Sequence, residues 1–124
     1  MDTPLDGSSV RVQVRGASAS NGVALGRARV VREPRTLAGL QDGEVAVLRC
    51  AWPHAAEALG RLAAVVTERG GVLCSLATLT REYGIPCVVG AAGATEAIHD
   101  GDVVFVDAED GAVLVLGPVV AAPI

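Results

Sequence analysis

The chain opens on strict alternation. From Val10 the run Val-Arg-Val-Gln-Val puts an apolar side chain at every second position, the period of a half-buried strand. Gly16 to Gly22 (GASASNG) reads as a loop, and Val23 to Val31 returns to strand-like apolar content with Gly26 inside it. Arg32 to Gly43 reads as a connection holding at most one short helical turn, and Val45 to Leu48 as a compact buried strand. After Trp52-Pro53 the period changes. His54 to Leu62 carries apolar residues at Ala55, Ala58, Leu59 and Leu62, which predicts a helix, and Pro53 suits its first turn.

Ala64 to Val66 is a short, wholly apolar strand that leads to Gly70-Gly71, a sharp turn. Cys74 to Tyr83 then predicts a helix with Leu76, Leu79 and Tyr83 on one face, Arg81 and Glu82 in its last turn and Gly84 as its stop. Pro86 forbids continuation, and Cys87 to Val89 is another buried strand. Gly90 to Gly93 turns the chain, Ala94 to His99 predicts a short helix, and Asp100-Gly101 introduces a strand at Val103 to Val106. Asp110-Gly111 is a hairpin signal into Ala112 to Leu116. Alternating strands and helices between Val45 and Val89 argue for parallel pairing through crossovers, with hairpins at the chain ends. The expectation is one mixed α/β domain over residues 10–117, with a loose polar arm at 1–9 and an apolar tail at 118–124 that can pack against a neighbour.

Composition narrows the partners. A chain of 124 residues is long enough to bury one core, and since Trp52, Tyr83 and Phe105 are the only aromatics, that core is built from Val, Leu and Ala. Net charge is −4, and all ten basic residues are arginines spread from Arg11 to Arg81 without a dense run, which argues against nucleic acid. The longest apolar stretches, such as Val103 to Val106 and Val113 to Leu116, are far too short to span a membrane, and Met1 to Ser9 lacks the basic start and apolar run of a signal peptide. A soluble, cytoplasmic protein is expected. Cys50, Cys74 and Cys87 are odd in number and have no C-x-x-C spacing, so neither a disulfide framework nor a zinc site is indicated, and free thiols fit a reducing compartment. The carboxylates Glu68, Asp100, Asp102, Asp107, Glu109 and Asp110 read as turn and surface residues; no metal cage and no cofactor is implied.

The run from Gly70 to Pro86 (GGVLCSLATLTREYGIP) resembles the signature of the phosphohistidine swivelling domain, the mobile domain of phosphoenolpyruvate-utilising enzymes: a glycine pair, two residues, Ser or Cys, His, then a helix ending in Arg-Glu-x-Gly-Ile-Pro. Gly16-x-x-x-Ser20-x-Gly22-Val23-Ala24-x-Gly26 resembles the family's opening loop and strand, with Asn21 where proline is usual. Val65 to Glu68, Cys87 to Gly90, and Asp100 to Asp107 with Gly111 extend the likeness over most of Gly16 to Leu116. The resemblance implies a swivelling β/β/α domain with mixed parallel and antiparallel strands. It also implies that phosphate from ATP or phosphoenolpyruvate is carried on histidine between two active sites, with an ATP-grasp-like or phosphoenolpyruvate-binding phosphotransferase subunit as partner.

Here Ser75 stands in the histidine's place and Leu73 replaces the polar residue, usually threonine, two positions earlier. A phosphohistidine can pass its phosphate onward in both directions, whereas a serine phosphate is a stable ester. A helix N-terminus beside a Gly-Gly turn suits an anion, so Gly70, Gly71, Leu73, Arg69 and Arg81 are the candidate anion-binding residues. Ser75 is the candidate catalytic position, read as inactive because serine is also a favoured helix-start residue. Cys74 is a second candidate, its thiol placed where a helix dipole favours the thiolate, although the family carries Ser or Cys there without thiol chemistry. His54 and His99 read as a helix-start and a helix-end residue; neither occupies the carrier position. The expected function is a stand-alone, degenerate mobile domain that binds a partner or anion. The alternatives are a working phosphocarrier component of a multi-chain dikinase or synthase system, and a recruited fold in which Cys74, Ser75 or His54 acts on a substrate.

Overall fold

The structure is a computed structural model and describes residues 12–50, 56–71 and 75–118. The arm at 1–9 and the tail beyond Pro118 therefore lie outside the described residues, as do His54, Leu73 and Cys74. In chain order the elements are β1 (Val12–Arg15), β2 (Ala17–Ser20), β3 (Val23–Val31), a 3-10 turn (Pro34–Gly39), β4 (Val45–Leu48), α1 (Ala56–Leu59), β5 (Ala64–Thr67), α2 (Ser75–Tyr83), β6 (Cys87–Val89), α3 (Ala94–Ala97), β7 (Asp102–Asp107) and β8 (Ala112–Pro118).

The strands form one ladder in the order β1-β8-β7-β3-β4-β5-β6-β2. β3, β4, β5 and β6 run parallel, while β1, β8, β7 and β3 pair antiparallel, and β2 closes antiparallel on β6. The two outermost strands, β1 and β2, are separated in sequence by Gly16 alone, so the ladder must curl until its edges meet. Gly16 makes the junction possible. A Cβ there would collide with the Val89 carbonyl oxygen and stand 2.9 Å from the Ala91 nitrogen, both backbone atoms.

The curl gives the layers. One apolar cluster fills its interior with Val14, Val45, Val47, Val66, Val88, Val104, Val106, Val113 and Val115, closed at one end by Ala94 and Ile98. A second cluster lies between the outer face of the parallel strands and the helices, where Ala46, Leu48, Val65, Cys87 and Val89 meet Leu59, Leu76 and Ala77. Successive residues of β4 thus feed opposite clusters and all four are buried, as expected of parallel strands covered on both faces. Antiparallel half, parallel half and helices stack as β/β/α, the mixed α/β architecture expected from the sequence.

Two expectations are corrected. Gly16 to Gly22 is not a loop throughout: Ala17–Ser20 forms β2 and pairs with β6 with a register shift between Ser18 and Ser20. Small alternating side chains hid this strand, since Ala19 and Ser20 bury without any large apolar residue to announce it. On α2 the buried stripe is Leu76, Ala77 and Thr80, with Thr80 Oγ1 donating to the Ala77 carbonyl 2.9 Å away. Leu79 packs against the same cluster as Leu76, as expected, but Tyr83 at the end of the helix is 51% exposed.

Candidate functional site

Parallel strands converge on one edge. Val31 of β3 pairs with Leu48 of β4, and Leu48 pairs with Thr67 of β5, so the C-terminal ends of three strands form a single row. Such edges are where open α/β sheets place their ligands. The ladder continues past it, because Glu68 N–H donates to the Leu48 carbonyl and Arg69 N–H to the Arg49 carbonyl, each at 2.9 Å. Thr67 Oγ1 donates to the Arg69 carbonyl at 2.7 Å, and Ala91 N–H donates to the Thr67 carbonyl at 2.9 Å. The turn after β5 is therefore tied to the turns after β4 and β6.

Gly70 follows with φ +108°, a backbone region that side-chain-bearing residues rarely adopt, and Gly71 beside it is exposed with open space where a Cβ would stand. Ser75 begins α2 on the far side of this turn and is exposed. Residues 72–74 between them are outside the described set, so Leu73 and Cys74 have no position to report.

Glu68 organises the edge. Its Oε2 accepts from both Thr95 N–H at 2.6 Å and Thr95 Oγ1 at 2.5 Å, and its Oε1 stands 3.8 Å from Arg49 Nε. The Thr95 hydroxyl first, then its backbone N–H and the nearby Arg49 and Arg69 charges, hold the Glu68 carboxyl below its usual range against the opposing effect of burial. This carboxylate couples the glycine turn to α3. Arg32 joins the same group, its Nη2 donating to the Thr95 carbonyl at 3.0 Å.

The candidates read from sequence do not all gather here. Arg69, Gly70 and Gly71 follow β5 at this edge. Arg81 stands in the last turn of α2, six residues or roughly 9 Å from Ser75 along the axis. Its Nη1 donates to the Ala19 carbonyl at 2.8 Å, which fastens α2 to β2. His99 Nδ1 lies 3.8 Å from Asp102 Oδ2, with its ring 79% exposed. Cys50 and Cys87 are not joined by a disulfide. Among the described residues no group of His, Cys, Asp and Glu is arranged to hold a metal ion.

Sequence reasoning passed over Arg32 and Arg49. Their signal was present: a charged residue follows directly on each of the apolar runs Val30-Val31 and Val47-Leu48, but 17 positions apart. Only the strand register shows that they are neighbours.

The family description "PEP-utilising enzyme, mobile domain" matches residues 40–111, more than half of the chain. The chain belongs to this family. A mobile domain accounts for the glycine turn and α2 together, the segment that carries the resemblance noted from sequence. A protein named "Probable phosphoenolpyruvate synthase" from Methanothermobacter thermautotrophicus is 39% identical over 105 residues, covering 85% of this chain and 15% of its own length. An Archaeoglobus fulgidus protein of the same name is 37% identical, covering 83% of this chain and 14% of its own length. The chain thus spans about one-seventh of the length of these two relatives. The solution structure named "Enzyme I (nEIt)" superposes with a TM-score of 0.57 at 30% identity, covering 64% of this chain and 33% of that one.

Proposed function

We propose that this chain is a mobile domain of a phosphoenolpyruvate-synthase-like phosphotransfer system that has lost the carrier residue, and that it binds a partner or a small anion without carrying phosphate on Ser75. One observation carries the reading: the exposed residue that opens α2 is serine, and the chain's two histidines, at positions 54 and 99, both lie outside the segment from the glycine turn to the end of α2. Serine can form a phosphate ester, but that ester does not pass its phosphate on as readily as the phosphoramidate of histidine. Two features of the turn that precedes Ser75 support the reading. Gly70 keeps its special backbone, and Glu68 and Thr95 hold the turn in place.

The proposed partner is an ATP-grasp-like or phosphoenolpyruvate-binding phosphotransferase subunit, in keeping with the synthase names of the relatives. Nucleic acid is not a partner in this reading, because ten arginines are dispersed and net charge is −4. No helix among the described residues is long and apolar enough to cross a membrane. A cytoplasmic setting is proposed on the cysteines, which show no disulfide-framework spacing.

A second reading, a working carrier that uses Ser75, is favoured by the exposure of that residue at a helix start. Restoring the histidine separates the two. Ser75→Ala and Ser75→His are incubated with extract of the source organism plus ATP or phosphoenolpyruvate, and phosphate is mapped by peptide mass. An acid-labile adduct at position 75 of Ser75→His is expected, showing an intact docking scaffold. A Ser75→His protein that stays unmodified while wild type gains phosphate would support the serine carrier.

A further inference from the structure

The arginines that follow β3 and β4 flank a cavity of about 190 Å³ lined by Val31, Arg32, Arg49, Cys50 and Thr95. We infer that this cavity is a subsite for a phosphate-type anion, held between the guanidinium groups of Arg32 and Arg49. It rests on the anion-binding reading above and places the anion on named side chains that the resemblance did not supply.

Three observations support the assignment. The first is position: Arg32 and Arg49 stand one residue beyond the paired row Val31 and Leu48, so parallel pairing sets two cations side by side at the strand ends. The second is orientation. Arg32 spends Nη2 on the Thr95 carbonyl, and Arg49 faces Glu68 through Nε, so each fork is anchored by part of its donor set while the rest can be turned to a ligand. Glu68 offsets one of the two positive charges, but its Oε2 is occupied by Thr95, and the rim keeps one cation in excess. The third is size. The cavity is smaller than the roughly 300–1,000 Å³ of drug-sized sites, and at about 30 Å³ per water it holds a handful of waters or one small polyatomic anion.

The wider hollow next to it, lined by Arg29, Arg32, Glu33, Thr36, His99 and Asp100 among others, mixes both charges. It shares Arg32 with the smaller cavity. An anion larger than phosphate can therefore extend beyond Arg32, but the balanced charges there give it little added attraction.

Cys50 supplies a readout that does not depend on activity, because its half-buried side chain lines the cavity. The whole chain is treated with a neutral alkylating reagent, and the rate at Cys50 is followed by peptide mass in the presence of inorganic phosphate, phosphoenolpyruvate or chloride. Phosphate and phosphoenolpyruvate are expected to slow alkylation of Cys50 while chloride does not. Arg49→Gln and Arg32→Gln are each expected to weaken that protection about tenfold or more, the loss of one charge-assisted contact. Arg49 is 65% exposed, so its variant is not a core change. Arg15→Gln is the control, since Arg15 pairs with Asp110 and does not line the cavity. Stronger protection by phosphoenolpyruvate than by phosphate would assign a phosphorylated acid, and equal protection would assign bare phosphate. Absence of protection, or protection that survives both arginine substitutions, overturns the subsite. Covalent phosphate on Ser75 would overturn only the non-carrier reading and leave the subsite standing, so the two fail separately.

Discussion

The two halves of the curled sheet share β3 and differ in what covers them. β4, β5 and β6 of the parallel half are buried on both faces, between the interior cluster and the helices, with every residue of all three strands buried. In the antiparallel half only the inner face is covered. Val23 and Leu25 of β3 are 53% and 60% exposed on its outside. Glu68, Arg69, the glycine turn, Arg32 and Arg49 all stand at the C-terminal edge of the parallel half. The antiparallel half closes the interior. Enclosure on both faces fixes where strand ends lie, and precise placement of those ends is what a binding edge needs.

Substitutions can break this contrast. Leu48→Ala removes a side chain only 1% exposed from the C-terminal end of β4, and should cost about 2–5 kcal/mol in chemical denaturation. A cost below that of an exposed-face change would show that the parallel half is not the stability core. Gly16→Ala forces a methyl against the Val89 carbonyl where the two halves are joined, and about 1–3 kcal/mol is expected from the backbone shift it demands. A thermal midpoint equal to wild type would mean that the junction has slack.

Glu68→Gln sharpens the comparison at the edge itself. Loss of the ionic partner of Thr95 and Arg49 should cost about 1–2 kcal/mol at neutral pH. The folded-state pKa of Glu68 lies below the ordinary value of 4.5, so its stabilisation is fully present above that pH and is lost as pH falls through the folded pKa. Stability curves of wild type and variant should therefore converge in acid; a gap that persists there would show that Glu68 acts through packing. Leu25→Ala on the open face should change stability by no more than about 0.5 kcal/mol. A larger loss would show that the outer face of the antiparallel half is covered by something in solution.

Much of the parallel half was legible in sequence because its strands are short apolar runs punctuated by Gly and Pro: Val45–Leu48 and Cys87–Val89 fall where the pattern puts them. β2 was not, since Ala-Ser-Ala-Ser has no apolar contrast and its strand state comes from pairing with β6. The same distinction applies to the site. Gly70-Gly71 and Ser75 lie within one contiguous motif. Arg32 and Arg49 become neighbours only through strand register, and Arg81, read from sequence in the last turn of the helix, donates to the Ala19 carbonyl there.

The central claim is that α2 opens on a residue that no longer carries phosphate. Intact mass of the wild-type protein, after incubation with source extract and ATP or phosphoenolpyruvate, tests it most directly. The account predicts an unchanged mass, identical to that of Ser75→Ala treated in parallel. A phosphate adduct on wild type that is missing from Ser75→Ala would contradict it and establish a serine carrier.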